Sequence, residues 1–235
     1  MASIKDAFEE SLQDEHALMM YIIFAIPLFL CSKFLLEGDK TVYFIGTALF
    51  TAILYIGFCL KCTSNVRSSS NVVLPSFNIF PLLWNGIRGI IVLAPLIIVA
   101  YTLEYFIAGF LSNMITNPTT LQVFIAITTG LCNSIVYTGY ILFARRFRAT
   151  DVYDFKTIST YCVDILIAVI FMKLQMILVN LIIAGPITYL ICIFFRIPHP
   201  VATFFWCIIA VFNLAIMGHY MAQIDYEVIG EKETV

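Results

Sequence analysis

Apolar residues fall in six long blocks, at 17–36, 41–60, 87–111, 121–143, 165–184 and 201–222, separated by short polar stretches. Each block reaches roughly the 20 residues that a helix needs to cross about 30 Å of hydrocarbon. The block at 165–184 carries Lys173 and Gln175 and is otherwise as apolar as the rest. Nothing between the blocks is long enough for a separate soluble domain. The pattern predicts an all-α integral membrane protein of six transmembrane helices, with residues 1–235 forming one membrane domain.

The blocks also repeat. Gly57-Phe58, Gly139-Tyr140 and Gly218-His219 close the even-numbered blocks, and Phe8, Phe77 and Phe155 open the segments that lead into the odd-numbered ones. From each opening Phe to the next closing Gly the separation is 49, 62 and 63 residues. This predicts three repeated helical hairpins over 6–70, 76–149 and 154–226, packed about a pseudo-threefold axis, as parallel repeats do in transport folds. Pro27 lies 19 residues after Phe8 and Pro95 lies 18 after Phe77, so matched kinks are expected in the first and third spans. Lys173 holds the corresponding place in the third unit. Gly185-Pro186 is expected to interrupt the fifth span, with 187–197 a bent extension along the outer leaflet.

Each hairpin should be preceded by an interfacial amphipathic lead-in helix. Residues 6–16 set Ala7, Phe8 and Leu12 against acidic neighbours, and 76–88 set Phe77, Phe80, Leu83 and Trp84 against Asn78, Asn85 and Arg88. Such helices lie in the interface plane and anchor the hairpins. Ser76 and Asp154 are the expected N-caps.

Charge adds orientation. With the N-terminus inside, nine basic residues (Lys5, Lys61, Arg67, Arg88, Arg145, Arg146, Arg148, Lys156 and Lys232) face the cytoplasm, and the outer side holds Lys40 and Arg196. Both termini are therefore expected in the cytoplasm. The acidic first 16 residues do not read as a cleavable signal. A net charge of −2 gives no reason to expect a nucleic-acid partner. The seven Cys lie mostly inside apolar blocks and read as small hydrophobes. Cys59 and Cys62 form a lone C-x-x-C with no second pair, so no metal is expected, and no cofactor.

The chemistry that remains is polar side chains at membrane depth. Lys173 lies roughly 14 Å in from Asp164 at about 1.5 Å per residue, and Glu104 about 24 Å in from Arg88. Lysine at mid-bilayer costs a few kcal/mol unless partnered. Glu104 is the expected partner, with Gln175, Asn180, Asn133 and Asn213 completing a candidate intramembrane polar site. Two readings stand. The pair locks two spans and the amides join helices, or Lys173 lines a polar cavity and binds an anion or carries a proton. His219, in the aromatic position after Gly218, is expected to be an interfacial ring. No G-x-S-x-G, H-E-x-x-H, phosphate-binding loop or G-x-G-x-x-G is present, and enzymatic activity is not expected.

Leu74-Pro75-Ser76-Phe77 followed by Asn85-Gly86, and the stretch 144–155 with its R-x-x-D-x-x-D-F run ending in Tyr153-Asp154-Phe155, resemble the polytopic prokaryotic family called domain of unknown function 4013. Asn78 departs from that pattern, which has an acidic residue there. The family is distantly similar to membrane domains attached to some glycerophosphodiesterases, and this implies lipid or glycerol-phosphate handling. The resemblance also implies the plasma membrane of a prokaryote, and the family offers no functional residues to transfer. The leading expectation is a protein that binds or passes a small or lipid-like solute, in the manner of a transporter or channel. The alternative is a non-transporting scaffold, immunity-type factor or partner subunit. Membrane lipids and homo- or hetero-oligomeric neighbours are the expected partners.

Overall fold

A computed structural model describes residues 3–37, 40–68, 73–190 and 198–230, with only the backbone of residues 183 and 184. Among them there is no strand. The helices are α1 (Ile4–Gln13), α2 (Ala17–Leu36), α3 (Thr41–Arg67), α4 (Ile79–Met114), α5 (Pro118–Arg146), the single turn α6 (Ala149–Val152), α7 (Phe155–Thr188) and α8 (His199–Ile224). A π-helical turn, Asp225–Gly230, follows α8 directly. Six of these helices are long and apolar enough to cross a membrane. The protein is an all-α polytopic membrane protein.

Local chemistry sets the helix ends. Ser3 Oγ accepts the amide of Asp6 at 3.2 Å and caps α1. Asp154 Oδ1 accepts from Lys156 at 3.1 Å and Thr157 at 3.3 Å, capping α7 as its position predicts. The cap of α4 is Asn78, not Ser76, and its Oδ1 accepts the Phe80 amide at 3.2 Å. That start places Pro81 in the first turn, where its missing N–H leaves no bond unmade. Only α1 is a separate lead-in helix. The second and third lead-in segments run unbroken into α4 and α7, because no helix-breaking residue separates them from the spans that follow.

Pro27, Pro95 and Pro186 all lie inside continuous helices. The expected interruption at Gly185-Pro186 does not occur, since α7 continues to Thr188. Beyond it the Tyr189 amide reaches the Gly185 and Pro186 carbonyls, so the helical ladder resumes past the proline. Residues 191–197 of the expected extension lie outside the described residues.

The helices pack by close approach at one end. A Cβ on Gly57 would lie 1.8 Å from the Leu82 carbonyl oxygen, and one on Gly86 would lie 2.0 Å from that of Ile53. These reciprocal contacts bring α3 and α4 together backbone to backbone, the small-residue packing of membrane helices. Gly218 meets α3 in the same way, 2.8 Å from Cys62 Cβ and 2.9 Å from the Cys59 carbonyl oxygen. Buried residues of α2 end at Ala25 and those of α4 at Ala100, while α3 has none before Thr51 and α5 none before Thr128. The first two hairpins are tight where α3 ends and α4 begins, and splay apart at the opposite end.

Candidate functional site

The tight end is tied by charge. Asp225, its side chain 2% exposed, receives Arg145 Nε at 2.8 Å and 3.0 Å and Arg145 Nη2 at 2.7 Å. Arg67 Nη1 approaches its second oxygen at 3.2 Å. The Arg67 guanidinium lies 4.5 Å from the centroid of the Tyr226 ring, and the Tyr226 hydroxyl donates to the Arg67 carbonyl at 2.5 Å. One carboxylate thus joins the ends of α3, α5 and α8. Two guanidiniums on one buried carboxylate leave none of the charge uncompensated on the acidic side.

The same three helices meet again within the apolar region. Thr63 Oγ1 lies 2.9 Å from the Tyr140 hydroxyl, 2.9 Å from the Gly218 carbonyl oxygen and 3.0 Å from that of Cys59. Tyr140 also faces Cys59 Sγ at 3.2 Å, and Cys59 Sγ donates to the Leu214 carbonyl at 3.7 Å. A hydroxyl carries one proton. Tyr140 therefore donates toward Thr63 or Cys59, and Thr63 onward to a carbonyl. Cys59 and Cys62 are free and buried, and no metal-binding group of His, Cys, Asp or Glu occurs among the described residues. Two polar layers thus tie α3, α5 and α8 along their meeting line.

α1 closes this end from outside. It buries Ala7 and Ser11, and its Phe8 ring stands edge-on to Phe212 of α8 at 5.1 Å. The Ser3 amide donates to Gln223 Oε1 at 2.7 Å, Gln223 Nε2 lies 3.2 Å from His219 Nδ1, and His219 Nε2 lies 2.7 Å from Glu10 Oε2. With Gln223 donating to Nδ1, Nε2–H donates to the carboxylate. His219 is therefore a buried connector, not the expected interfacial ring, and through it α1 packs on α8. Glu10, the partner that draws it inward, lies 209 residues away in sequence.

Beside the Cys59–Tyr140 contact is an apolar cavity of about 380 Å³. Tyr55, Ile56 and Cys59 of α3, Gly89 to Ile98 of α4, Tyr140 of α5, and Leu214 and Met217 of α8 line it. Its volume is in the range of small-ligand sites, about 300–1,000 Å³, and its lining exposes no polar surface.

The residues expected to form one polar site are dispersed. Glu104 accepts a hydrogen bond from Thr129 of α5 at 2.6 Å. Lys173 is exposed, its ammonium 5.2 Å from the centroid of the Tyr137 ring. No ion pair joins Lys173 to Glu104; a hydroxyl and an aromatic face on α5 take the places expected for each other's charge. Asn213 donates to Asn180 at 2.9 Å, linking α8 to α7. Gln175 and Asn133 are half-buried. The residues that sequence reasoning missed are Asp225, Thr63 and Tyr140. A carboxylate one turn past an apolar block, with arginines closing two other blocks, was the available signal for the first.

No family model, curated protein or solved structure matches the chain.

Proposed function

We infer that the protein holds a lipid-like molecule, with an apolar chain of that molecule in the cavity lined by α3, α4, α5 and α8. The observation that supports this is the wholly apolar lining of a cavity of about 380 Å³ set among membrane-crossing helices. Water has no partner there, whereas a hydrocarbon chain fills it without desolvation cost. Exposed Ile90 and Ile98 in the cavity wall favour entry of that chain from the side. Kinship with domain of unknown function 4013, the threefold repeat and cytoplasmic termini belong to the same proposal. They rest respectively on the 74–86 and 144–155 stretches, the spacing of Phe and Gly, and the bias of Lys and Arg.

The test is photolabelling of the full chain in detergent with a diazirine fatty acid, followed by peptide mapping. Labelling should concentrate on the 89–98 and 214–217 peptides and disappear in Ala94→Trp, which fills the cavity from its wall. Uniform labelling of all outward faces, unchanged by Ala94→Trp, would sink the proposal.

A second reading is favoured by one observation. Lys173 is exposed on a membrane-crossing helix, where hydrocarbon is a poor neighbour for an ammonium. A partner subunit covering that face would relieve it. Cross-linking from position 173 to another chain in native membranes supports that reading, and reaction with lipid alone refutes it.

A further inference from the structure

At the tight end a second cavity, of about 470 Å³, is walled by elements distant in sequence. Asp14, Glu15 and His16 come from the corner between α1 and α2, Lys61 and Asn65 from the end of α3, and Leu74 to Phe77 from the segment before α4. The segment is fixed in place. The Leu74 amide donates to Asp14 Oδ2 at 2.7 Å, and Asn65 Nδ2 donates to the carbonyls of Val73 at 3.3 Å and Leu74 at 3.0 Å. Met20 and Leu74 supply a buried apolar floor, and the Phe77 ring lies 6.2 Å from that of His16.

The charges on this wall are of both signs and are not spent on each other. No ion pair or hydrogen bond reaches the half-buried Lys61 ammonium among the described residues, and Glu15 is exposed beside it on the cavity wall. Asp14 keeps a carboxylate oxygen beyond the one that holds Leu74. A guest that satisfies both sides carries an anion for Lys61 and a hydrogen-bonding cation for Asp14 and Glu15. The apolar floor asks for carbon attached to them. The location, just before α2 enters its apolar run and where α3 leaves its own, is the boundary at which lipid headgroups lie.

We propose that this cavity binds a phosphate ester bearing a primary ammonium group, with Lys61 on the phosphate and Glu15 and Asp14 on the ammonium. Phosphoethanolamine, as a lipid headgroup or free, is that chemistry. The site is separate from the apolar cavity and stands without it.

The experiment is ligand titration of the full chain in detergent by native mass spectrometry, using dihexanoyl phosphatidylethanolamine, dihexanoyl phosphatidylglycerol and free phosphoethanolamine. The amine-bearing lipid should bind more tightly than the glycerol one. Lys61→Gln should weaken both lipids about tenfold or more, the worth of a charge-assisted hydrogen bond. Glu15→Gln should weaken phosphatidylethanolamine alone. Neither side chain makes a bond that the fold uses, and unchanged melting of both variants checks this. Displacement by free phosphoethanolamine at matching concentration makes the source soluble, and its failure makes the source a lipid; both uphold the site. Equal binding of the two lipids, or wild-type binding by both variants, overturns it.

Discussion

Two ends of the same bundle treat glycine in opposite ways. At the arginine end, a methyl group on Gly57, Gly86, Gly139 or Gly218 would strike a neighbour at 1.8 to 2.8 Å. At the other end, Gly46, Gly109 and Gly185 have nothing within 4 Å. The polar links divide in the same way: the Asp225 cluster, the Thr63–Tyr140 contact and the α1 latch all lie at the tight end. At the splayed end the links among the described residues are fewer, and include Glu104–Thr129, Asn180–Asn213, the Glu37–Lys40 pair, and the ring contacts of Phe29 with Phe204 and Phe34 with Tyr43. A membrane supplies no hydrophobic force between helices, so association depends on close packing and hydrogen bonds. This chain concentrates both at one end and leaves the far arms of its first two hairpins with exposed apolar faces.

The sharpest way to break the comparison is to place the same side chain at both ends. Gly86→Leu forces apart the α3–α4 crossing, where overpacking costs about 1–3 kcal/mol in an ordinary core and more against rigid backbone. We expect no monodisperse protein from that variant. Gly109→Leu, in open space, should melt within about 0.5 kcal/mol of wild type. Equal loss from both would mean that the far end is also packed, and the contrast would fail.

Next in size is the charge cluster. Asp225→Ala strands two guanidiniums, and breaking a buried pair costs about 3–5 kcal/mol. Arg67 is 23% exposed, which puts the expectation at the low end of that range. In an Arg145→Leu background the same Asp225→Ala change should cost less than half as much, because the better-buried guanidinium is already gone. Thermal unfolding of the four proteins in one detergent gives the cycle, and additive losses would show that the cluster is not coupled.

These contacts mark the limit of what the sequence discloses. The six spans are legible because an apolar run of 20 residues has one common use. The glycines at 57, 139 and 218 were legible as a pattern, and the structure shows them at close crossings, except that sequence gives no reason to separate them from Gly109 or Gly46. A glycine is identical in packed and open surroundings; only the neighbour tells. Asp225 was hidden for a related reason: its partners lie 80 and 158 positions away, and nothing local distinguishes a clamped carboxylate from a solvated one. Lys173 misled in the opposite direction. Its cost was visible, its nearest carboxylate was Glu104, and the fold gave each a neighbour on α5 that periodicity does not reveal.

Neutral polar links rank below the ionic one. Thr63→Val removes the hydroxyl that joins Tyr140 to the Gly218 carbonyl and leaves Tyr140 with Cys59 Sγ as its remaining partner, worth about 1 kcal/mol. Asn180→Leu removes a single amide link at the looser α7–α8 seam, where interhelical bonds average about 0.6 kcal/mol. Melting should rank them in that order. The reverse order would place the structural burden on the last hairpin.

The smallest effect concerns two carboxylates, one at each end, Asp154 exposed and Glu37 half-buried. The Thr157 hydroxyl donates to Asp154 at 2.6 Å and, with the Thr157 and Lys156 amides, holds its carboxyl below the ordinary value. At the splayed end Lys40 lies 2.6 Å from Glu37 and holds that carboxyl down as well, aided by Lys33. A carboxylate depressed on folding adds stability above its unfolded value, near 4, and that stability is lost as pH falls through the lower folded value. Both contributions therefore disappear on acidification below about pH 4. Asp154 caps a helix, so Asp154→Asn keeps an acceptor at the cap and should flatten only the acid limb of melting against pH. Glu37→Gln keeps no charge for Lys40 across the short turn between α2 and α3. If the tight end carries the stability, Asp154→Asn changes the acid limb more than Glu37→Gln does. An acid limb governed by Glu37 would mean that the short α2–α3 turn, not the arginine end, is the weaker point at which unfolding starts.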